Sequence, residues 1–208
     1  MTHTGKREDN RMISDPTRFE KAVVRIDAAN AEDPNRESFE GTEHPRELLY
    51  GRRMTAWLER LVPDASEALR LAVRCQHIRR WAIPRDGYPM GRTGYREWRT
   101  TLAGFHAETA GEILRGVGYD EAVIGRVQSL VRKERLKLDA ETQALEDAAC
   151  LVFLESYFAD FARQHDEEKL IDILRKTWRK MSPKGHEAAL GLALSPELRG
   201  IVEKALAG

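Results

Sequence analysis

The sequence predicts an all-α protein with about eight or nine helices. Apolar residues recur every three or four positions through most of the chain, which is the spacing of amphipathic helices. Helix-capping and turn-forming residues separate these stretches, and no alternation of apolar and polar residues lasts long enough to predict a strand. We therefore expect residues 17–208 to form a single multi-helix domain, preceded by a disordered leader at residues 1–16.

The first half of the chain divides at its prolines, glycines and helix caps. The segment 31–45 is rich in turn formers and acids and is predicted to be a loop. Asp64, with Glu67 three residues later, is a plausible cap for the third helix. Residues 83–94 contain two prolines and three glycines and are predicted to be irregular. The predicted helices of this half cover residues 18–30, 46–61, 63–81 and 95–117.

The second half follows the same pattern. Gly118 ends the long helix, and Asp120 and Asp139 cap the next two. The helix at 140–165 is apolar almost all round its centre, so we expect it to be the buried central helix. The remaining predicted helices cover residues 121–136, 166–181, 186–194 and 196–207.

Composition excludes several classes of function. Lysine and arginine number 34 and aspartate and glutamate number 34, so the formal net charge is zero. This balance makes nucleic acid an unlikely partner and argues against a polybasic membrane binder. No apolar run approaches the roughly 20 residues that span a bilayer, and the polar N-terminus has no signal-peptide core. Cys75 and Cys150 lie in apolar helical contexts and are predicted to be buried thiols in the cytoplasm.

The segment 73–111 concentrates the arginines and large aromatics of the chain between two histidines, His77 and His106. Guanidinium groups bind phosphate and carboxylate in a bidentate manner, so a phosphorylated or anionic small molecule is the expected ligand. The alternative is that these arginines close a helix end or form a solvated face. The candidate substrate-binding residues are Arg79, Arg80, Arg85, Tyr88, Arg92, Arg96 and Arg99.

Both histidines are predicted to point inward from neighbouring helices. Imidazole is a common metal ligand and proton carrier, although a hydrogen-bonded core histidine is the simpler interpretation. Glu146, Asp147 and Glu155 lie in the apolar helix, where a carboxylate is costly unless it is paired or bound to a metal. A buried ion pair with an arginine is the alternative for each of these carboxylates.

The motifs RCQHIRRWAIPRDGYPMGRTGYREWR, EDAACLVFLE and KTWRKMS resemble a bacterial and fungal family of uncharacterised proteins, domain of unknown function 4202, over about residues 19–194. A more distant resemblance is to the all-helical HD-domain metal phosphohydrolases. ALRLAVRCQHI is similar to their His-Asp helix, with Gln76 and His77 at that pair. His106 and Asp147 fall near two further ligand positions, whereas Tyr50 stands about where the first histidine belongs.

The HD resemblance implies a metal-dependent phosphohydrolase that acts on a nucleotide or another phosphorylated small molecule. His77, His106 and Asp147 would then hold Mn, Mg, Fe or Zn, and Glu146 or Glu155 would orient ligands or take a proton. One alternative is a non-catalytic HD-like module that binds an anionic ligand or a protein partner. A second alternative is a factor that associates with tRNA or another RNA.

Overall fold

The predicted all-α architecture is confirmed in the computed structural model, which describes residues 13–207. This part of the chain contains ten α-helices and one two-stranded sheet, which is slightly more helices than predicted. The elements are α1 (Pro16–Ala31), β1 (Arg36–Phe39), β2 (Thr42–Pro45), α2 (Arg46–Leu61), α3 (Glu67–Cys75), α4 (Arg92–Val117), α5 (Glu121–Val131), α6 (Ala140–Val152), α7 (Phe158–Ala162), α8 (Glu167–Lys180), α9 (Pro183–Leu190) and α10 (Pro196–Leu206).

Most of the predicted leader, residues 1–12, lies outside the described residues. At its end, Asp15 caps α1 by accepting the backbone N–H of Arg18. The backbone N–H of Ser14 donates to Glu67 at 2.8 Å. Residues 14–16 therefore belong to the folded part of the chain.

The helices bury their apolar stripes in one core. α4 packs on α5, α2 packs on α6, and α3 contacts both α5 and α6. Met54, Leu71, Ile124 and Phe158 are fully buried at these contacts. α6 lies centrally and buries most of its side chains, as its apolar composition predicts.

The prediction of a loop at 31–45 is wrong for the β1–β2 hairpin. The two strands pair antiparallel, with Phe39 opposite Thr42. Glu40 and Gly41 form the turn with φ of 50° and 75°, the left-handed geometry that suits a tight hairpin. Each strand has only four residues, which is too short for an alternation of apolar and polar residues to be visible.

The third helix differs from the prediction at both ends. Ser66, rather than Asp64, caps α3 by accepting the N–H of Leu69. The helix ends at Cys75 and a turn follows. In this turn Arg79 takes a left-handed conformation with φ of 51°, and its N–H donates to the Asn30 side chain. His77 was predicted to lie on this helix and instead lies in the turn that follows it.

The helix predicted at 140–165 is interrupted by a π-helix at Phe153–Tyr157, between α6 and α7. A π-helix widens one turn and shifts the register of the residues that follow. The helix predicted at 121–136 ends at Val131, and three alternate residues after it have positive φ, namely Lys133, Arg135 and Lys137. Such conformations in residues other than glycine often mark functional sites.

Both cysteines are buried free thiols, as predicted. Between residues 13 and 207, no helix combines the length and the apolar character that crossing a membrane requires.

Candidate functional site

Two adjoining cavities open beside His77. We call the larger one, about 690 Å³ in volume, the main cleft. The smaller one, about 500 Å³, is the side cavity. Four residues line both cavities and are called the junction residues: His77, Arg80, Arg99 and Lys133. They come from the turn after α3, from α4 and from the turn after α5, so three separate segments place them together.

His77 is held on three sides. Its ring stacks on Tyr50 at 4.0 Å between centroids, with 11° between the planes. Its Nδ1 lies 3.3 Å from a carboxylate oxygen of Glu47, and its Nε2 lies 3.2 Å from a guanidinium nitrogen of Arg80. Because arginine only donates, Nε2 accepts and Nδ1 carries the proton. Burial, together with the charges of Arg80 and Arg99, holds the pKa of His77 well below its usual range, so the ring is neutral.

Glu47 is the carboxyl group of the site that the sequence analysis did not identify. It lies in the first turn of α2, where its N–H donates to Asp33 at 3.0 Å. Burial raises its pKa to about 7, against the opposing charges of Arg80 and Arg46. Glu47 therefore exchanges a proton near neutral pH, directly beside the His77 ring.

His106 is 2% exposed on the inner face of α4, and its ring centroid lies 6.0 Å from that of His77. Its Nδ1 donates to the carbonyl oxygen of Ile78 at 2.8 Å, which leaves Nε2 as an acceptor. Burial and the neighbouring His77 lower its pKa to about 3, so this ring is neutral as well. Nε2 is buried and has no hydrogen-bond partner among the described residues.

Three guanidinium groups around His77 have no carboxylate within 4.0 Å in the described part of the chain, namely those of Arg46, Arg80 and Arg99. Arg80 also lies over the ring of Trp98, 4.8 Å from its centroid. Burial and the nearby Arg99 lower the pKa of Arg80, which reflects the cost of grouping cations here.

The lysines of the main cleft are paired. Lys133 binds Glu146 at 2.5 Å, and Lys180 lies 3.7 Å from the same carboxylate. Burial alone would raise the pKa of Glu146, but these two lysines outweigh it and hold the pKa below the usual value. Glu146 is therefore ionised and neutralises part of the lysine charge.

Of the seven predicted substrate-binding residues, only Arg80 and Arg99 line the cavities at the junction. Arg85 turns back and donates to the carbonyl oxygens of Tyr88 and Pro89, both at 2.9 Å. Arg79 is exposed and pairs with Glu32 at 3.5 Å. Five of the predicted residues are therefore absent from the lining of either cavity: Arg79, Arg85, Tyr88, Arg92 and Arg96.

The three predicted metal ligands do not form one group. His77 and His106 adjoin, but Asp147 accepts hydrogen bonds from Gln143 at 3.0 Å and from the Ser182 N–H at 2.8 Å, where it fixes the start of α9. Within residues 13–207, no three His, Cys, Asp or Glu side chains are grouped in a way that would hold a metal ion. The structure thus brings together two of the three predicted ligands.

The two predicted catalytic glutamates are also separated. Glu146 lines the main cleft. Glu155 was expected to be buried, but its side chain is 41% exposed and bonds to Trp57 and Arg60 outside the cleft. Glu155 lies nine residues after Glu146, which is two and a half turns of an α-helix, so the two carboxylates lie on opposite faces.

Besides Glu47, the sequence analysis missed Arg46, Lys133, Tyr157 and Lys180, which line the main cleft. Arg46 and Glu47 begin a helix, where charged residues are ordinary, so only the spacing of Glu47 and Tyr50 on one face would have indicated them. Tyr157 lies in the π-helix and makes an aromatic wall with Phe153 and Phe161.

The chain belongs to the family described as domain of unknown function (DUF4202), whose model matches residues 20–202. No curated protein and no solved structure matches the chain. The family membership predicted from the motifs is thereby confirmed, whereas the HD-domain resemblance stays a prediction.

Proposed function

We propose that the protein binds a phosphorylated small molecule in the main cleft, with the phosphate at the junction residues. The observation that carries this proposal is a set of three guanidinium groups near a neutral His77, on Arg80 and Arg99 at the junction and on Arg46 in the main cleft. Among residues 13–207, none of the three has a carboxylate within 4.0 Å. A guanidinium fork fits phosphate oxygens in a bidentate manner, and grouped cations are stabilised when an anion binds among them.

The shape of the site favours a small ligand over a nucleic acid. These cations line a cleft of about 690 Å³, and the chain has no net charge. A cleft of this size is typical of small-molecule sites. The aromatic wall formed by Phe153, Tyr157 and Phe161 provides an apolar surface for the organic part of the ligand.

Substitution of the junction arginines tests this proposal. We expect Arg80→Gln and Arg99→Gln each to weaken the binding of propyl phosphate about tenfold, because each loses a charge-assisted hydrogen bond. Arg96→Gln is the matched control, because Arg96 lies on α4 as Arg99 does but lines neither cavity. It should change the affinity less than twofold, a small shift typical of surface positions. Titration calorimetry at constant ionic strength measures the three affinities. Equal losses in all three variants, or no binding by the unmodified protein, would contradict the proposal.

A second candidate function is metal-dependent hydrolysis of the bound phosphate ester. The observation that favours it is the orientation of the two imidazoles. Each directs Nδ1 toward an oxygen, of Glu47 for His77 and of Ile78 for His106, so Nε2 is the potential ligand of each ring. On His77 a metal would replace the hydrogen bond that Nε2 accepts from Arg80. Metal-binding histidines are usually fixed by such a hydrogen bond from the other ring nitrogen. Two histidines would leave positions on the ion for water and phosphate oxygens.

Measurements of metal content and of turnover test this second candidate function. Protein purified without chelators should carry at least about one equivalent of Mn, Fe or Zn, and should release phosphate from nucleoside monophosphates. Removal of the metal should abolish turnover, and added Mn²⁺ should restore it. His106→Asn should lose both metal and turnover, because the amide keeps only the donor to Ile78. Metal-free, inactive protein that still binds propyl phosphate would leave phosphate binding as the function.

A further inference from the structure

We propose that the ligand carries a hydroxyl group next to its phosphate, and that the side cavity recognises this hydroxyl. This inference rests on the proposed phosphate site at the junction. Its basis is a pair of buried acceptors, Nε2 of His106 and Oε1 of Gln76, on residues that both line the side cavity. Neither atom has a hydrogen-bond partner among the described residues.

Buried acceptors without partners are rare because the loss of their hydration is not compensated. His106 is 2% exposed and Gln76 is 5% exposed, so solvent at the protein surface does not compensate either of them. The bond from Nδ1 of His106 to Ile78 fixes the ring and leaves Nε2 with a free lone pair. Two such atoms, on residues that line one small cavity, indicate a place for a group that donates hydrogen bonds.

The charges around the cavity favour a neutral donor. Arg80, Arg99, Arg132 and Lys133 line it, with Glu134 as the one carboxylate among the lining residues. An ammonium group would be repelled by these cations, whereas a hydroxyl donates a hydrogen bond without adding charge. Burial, together with His77 and Arg80, holds the ring of His106 neutral, so Nε2 accepts and does not donate.

The position of the cavity relates the hydroxyl to the phosphate. His77, Arg80, Arg99 and Lys133 line both the side cavity and the main cleft, so a phosphate at the junction lies at the mouth of the side cavity. Both acceptors are buried. In the described part of the chain, the Arg80 side chain donates only to the neutral Nε2 of His77, and a phosphate anion is the stronger acceptor. A hydroxyl beside a phosphate at the junction would lie toward the side cavity, which points to a polyol or sugar phosphate.

A matched pair of ligands tests the inference. Glycerol 3-phosphate and propyl phosphate have the same charge and carbon chain, and only the first carries hydroxyl groups. We expect glycerol 3-phosphate to bind at least about tenfold more tightly, because the analogue leaves the acceptors unpaired. Binding is measured by calorimetry in the presence of EDTA, so that no metal contributes. The affinity for propyl phosphate reports on the phosphate site, and the ratio of the two affinities reports on the hydroxyl site.

Variants of the two acceptors complete the test. In Gln76→Met the ratio should fall toward one, while propyl phosphate binds as before. In His106→Phe the ratio should fall toward one as well. Gln164→Met, which changes a glutamine of the main cleft outside the side cavity, should keep the full ratio. If His106→Phe does not fold, the ratio of the two affinities in Gln76→Met alone tests the inference. A ratio near one in the unmodified protein overturns the inference even where propyl phosphate binds, and so does a ratio that both acceptor variants retain.

Discussion

Glu47→Gln is expected to raise the free energy of unfolding at pH 8 by up to about 3 kcal/mol and to change it little at pH 4.5. Burial raises the pKa of Glu47 from 4.5 to about 7 in the folded state. The folded protein therefore holds a proton that the unfolded chain releases between these pH values. The contribution of a protonated Glu47 is fully present below pH 4.5 and is lost as the pH rises through 7. Because glutamine stays neutral at every pH, the variant does not lose this stability as the pH rises.

Urea unfolding between pH 4.5 and pH 8 measures the effect as the difference between the variant and the unmodified protein. Glu59→Gln, which changes an exposed residue of the same helix, is the control and should show no such pH-dependent difference. A constant difference across the pH range would mean that Glu47 does not titrate in this window. Two neutral histidines act in the opposite direction, and their effect cancels in the comparison because both proteins retain them.

His106 contributes to the pH dependence of stability with the opposite sign to Glu47. The pKa of His106 falls from 6.5 to about 3 on folding, so the unfolded chain takes up a proton that the folded protein refuses. Stability from this group is fully present above pH 6.5 and is lost as the pH falls toward 3. As the pH falls over part of the same range, the contribution of Glu47 to the stability of the folded protein increases. Between about pH 4.5 and 6.5 the titration of Glu47 therefore opposes that of His106.

The proton on Glu47 also bears on the proposed ligand. Arg46, Arg80 and His77 face this carboxyl group, with Asp33 nearby. When Glu47 ionises, it places a negative charge beside the guanidinium groups proposed to hold the phosphate. The phosphate itself takes up a proton at about pH 6, so the effect is read as the difference between two proteins. Relative to Glu47→Gln, the unmodified protein should gain affinity for propyl phosphate as the pH falls through 7.

The helices were predictable because their signals are local. Asp120 and Asp139 cap α5 and α6 as predicted, and Gly118 ends α4 with φ of 94°. Each cap acts within one turn of its own residue, so one sequence is sufficient to identify it. The hairpin at Arg36–Pro45 and the π-helix at Phe153–Tyr157 were missed because neither has a local pattern that distinguishes it from a loop or an α-helix.

The candidate site was predictable only in part, for a related reason. His77, Arg80 and Arg99 were expected to converge because they flank one loop, and they do lie together. Asp147 has the same residue type and the same apolar surroundings that suggested a ligand, yet it bonds to Ser182, which lies 35 residues further along the chain. Glu47 reaches the site from α2 because of how α2 packs on α6. Contacts between segments that are distant in the chain determine the partner of Asp147 and the position of Glu47, and no short sequence pattern encodes such contacts.

Gly94→Ala is expected to lower the free energy of unfolding by about 2 to 3 kcal/mol, because the added methyl group has no space. A Cβ at this position in the first turn of α4 would lie 2.0 Å from the carbonyl oxygen of Pro89. That oxygen belongs to the backbone, so a change of side-chain rotamer does not relieve the contact. The same oxygen accepts a hydrogen bond from Arg85, which ties the loop down from its other side. Either the loop or the start of the helix must move.

Gly104→Ala is the matched control on the same helix. A Cβ there meets nothing within 4 Å, and alanine in a helix is more stable than glycine by roughly 0.5 to 1 kcal/mol. Urea unfolding of the two variants should therefore give shifts of opposite sign, and equal stability would refute the predicted contact. The affinity for propyl phosphate then shows whether α4 or the loop before it moves to relieve the contact. If α4 moves, Arg99 moves with it and the affinity falls, because Arg99 lies further along the same rigid helix. If only the loop yields, Arg99 keeps its place and the affinity is retained, so the phosphate site depends on the helix and not on the loop that covers its first turn.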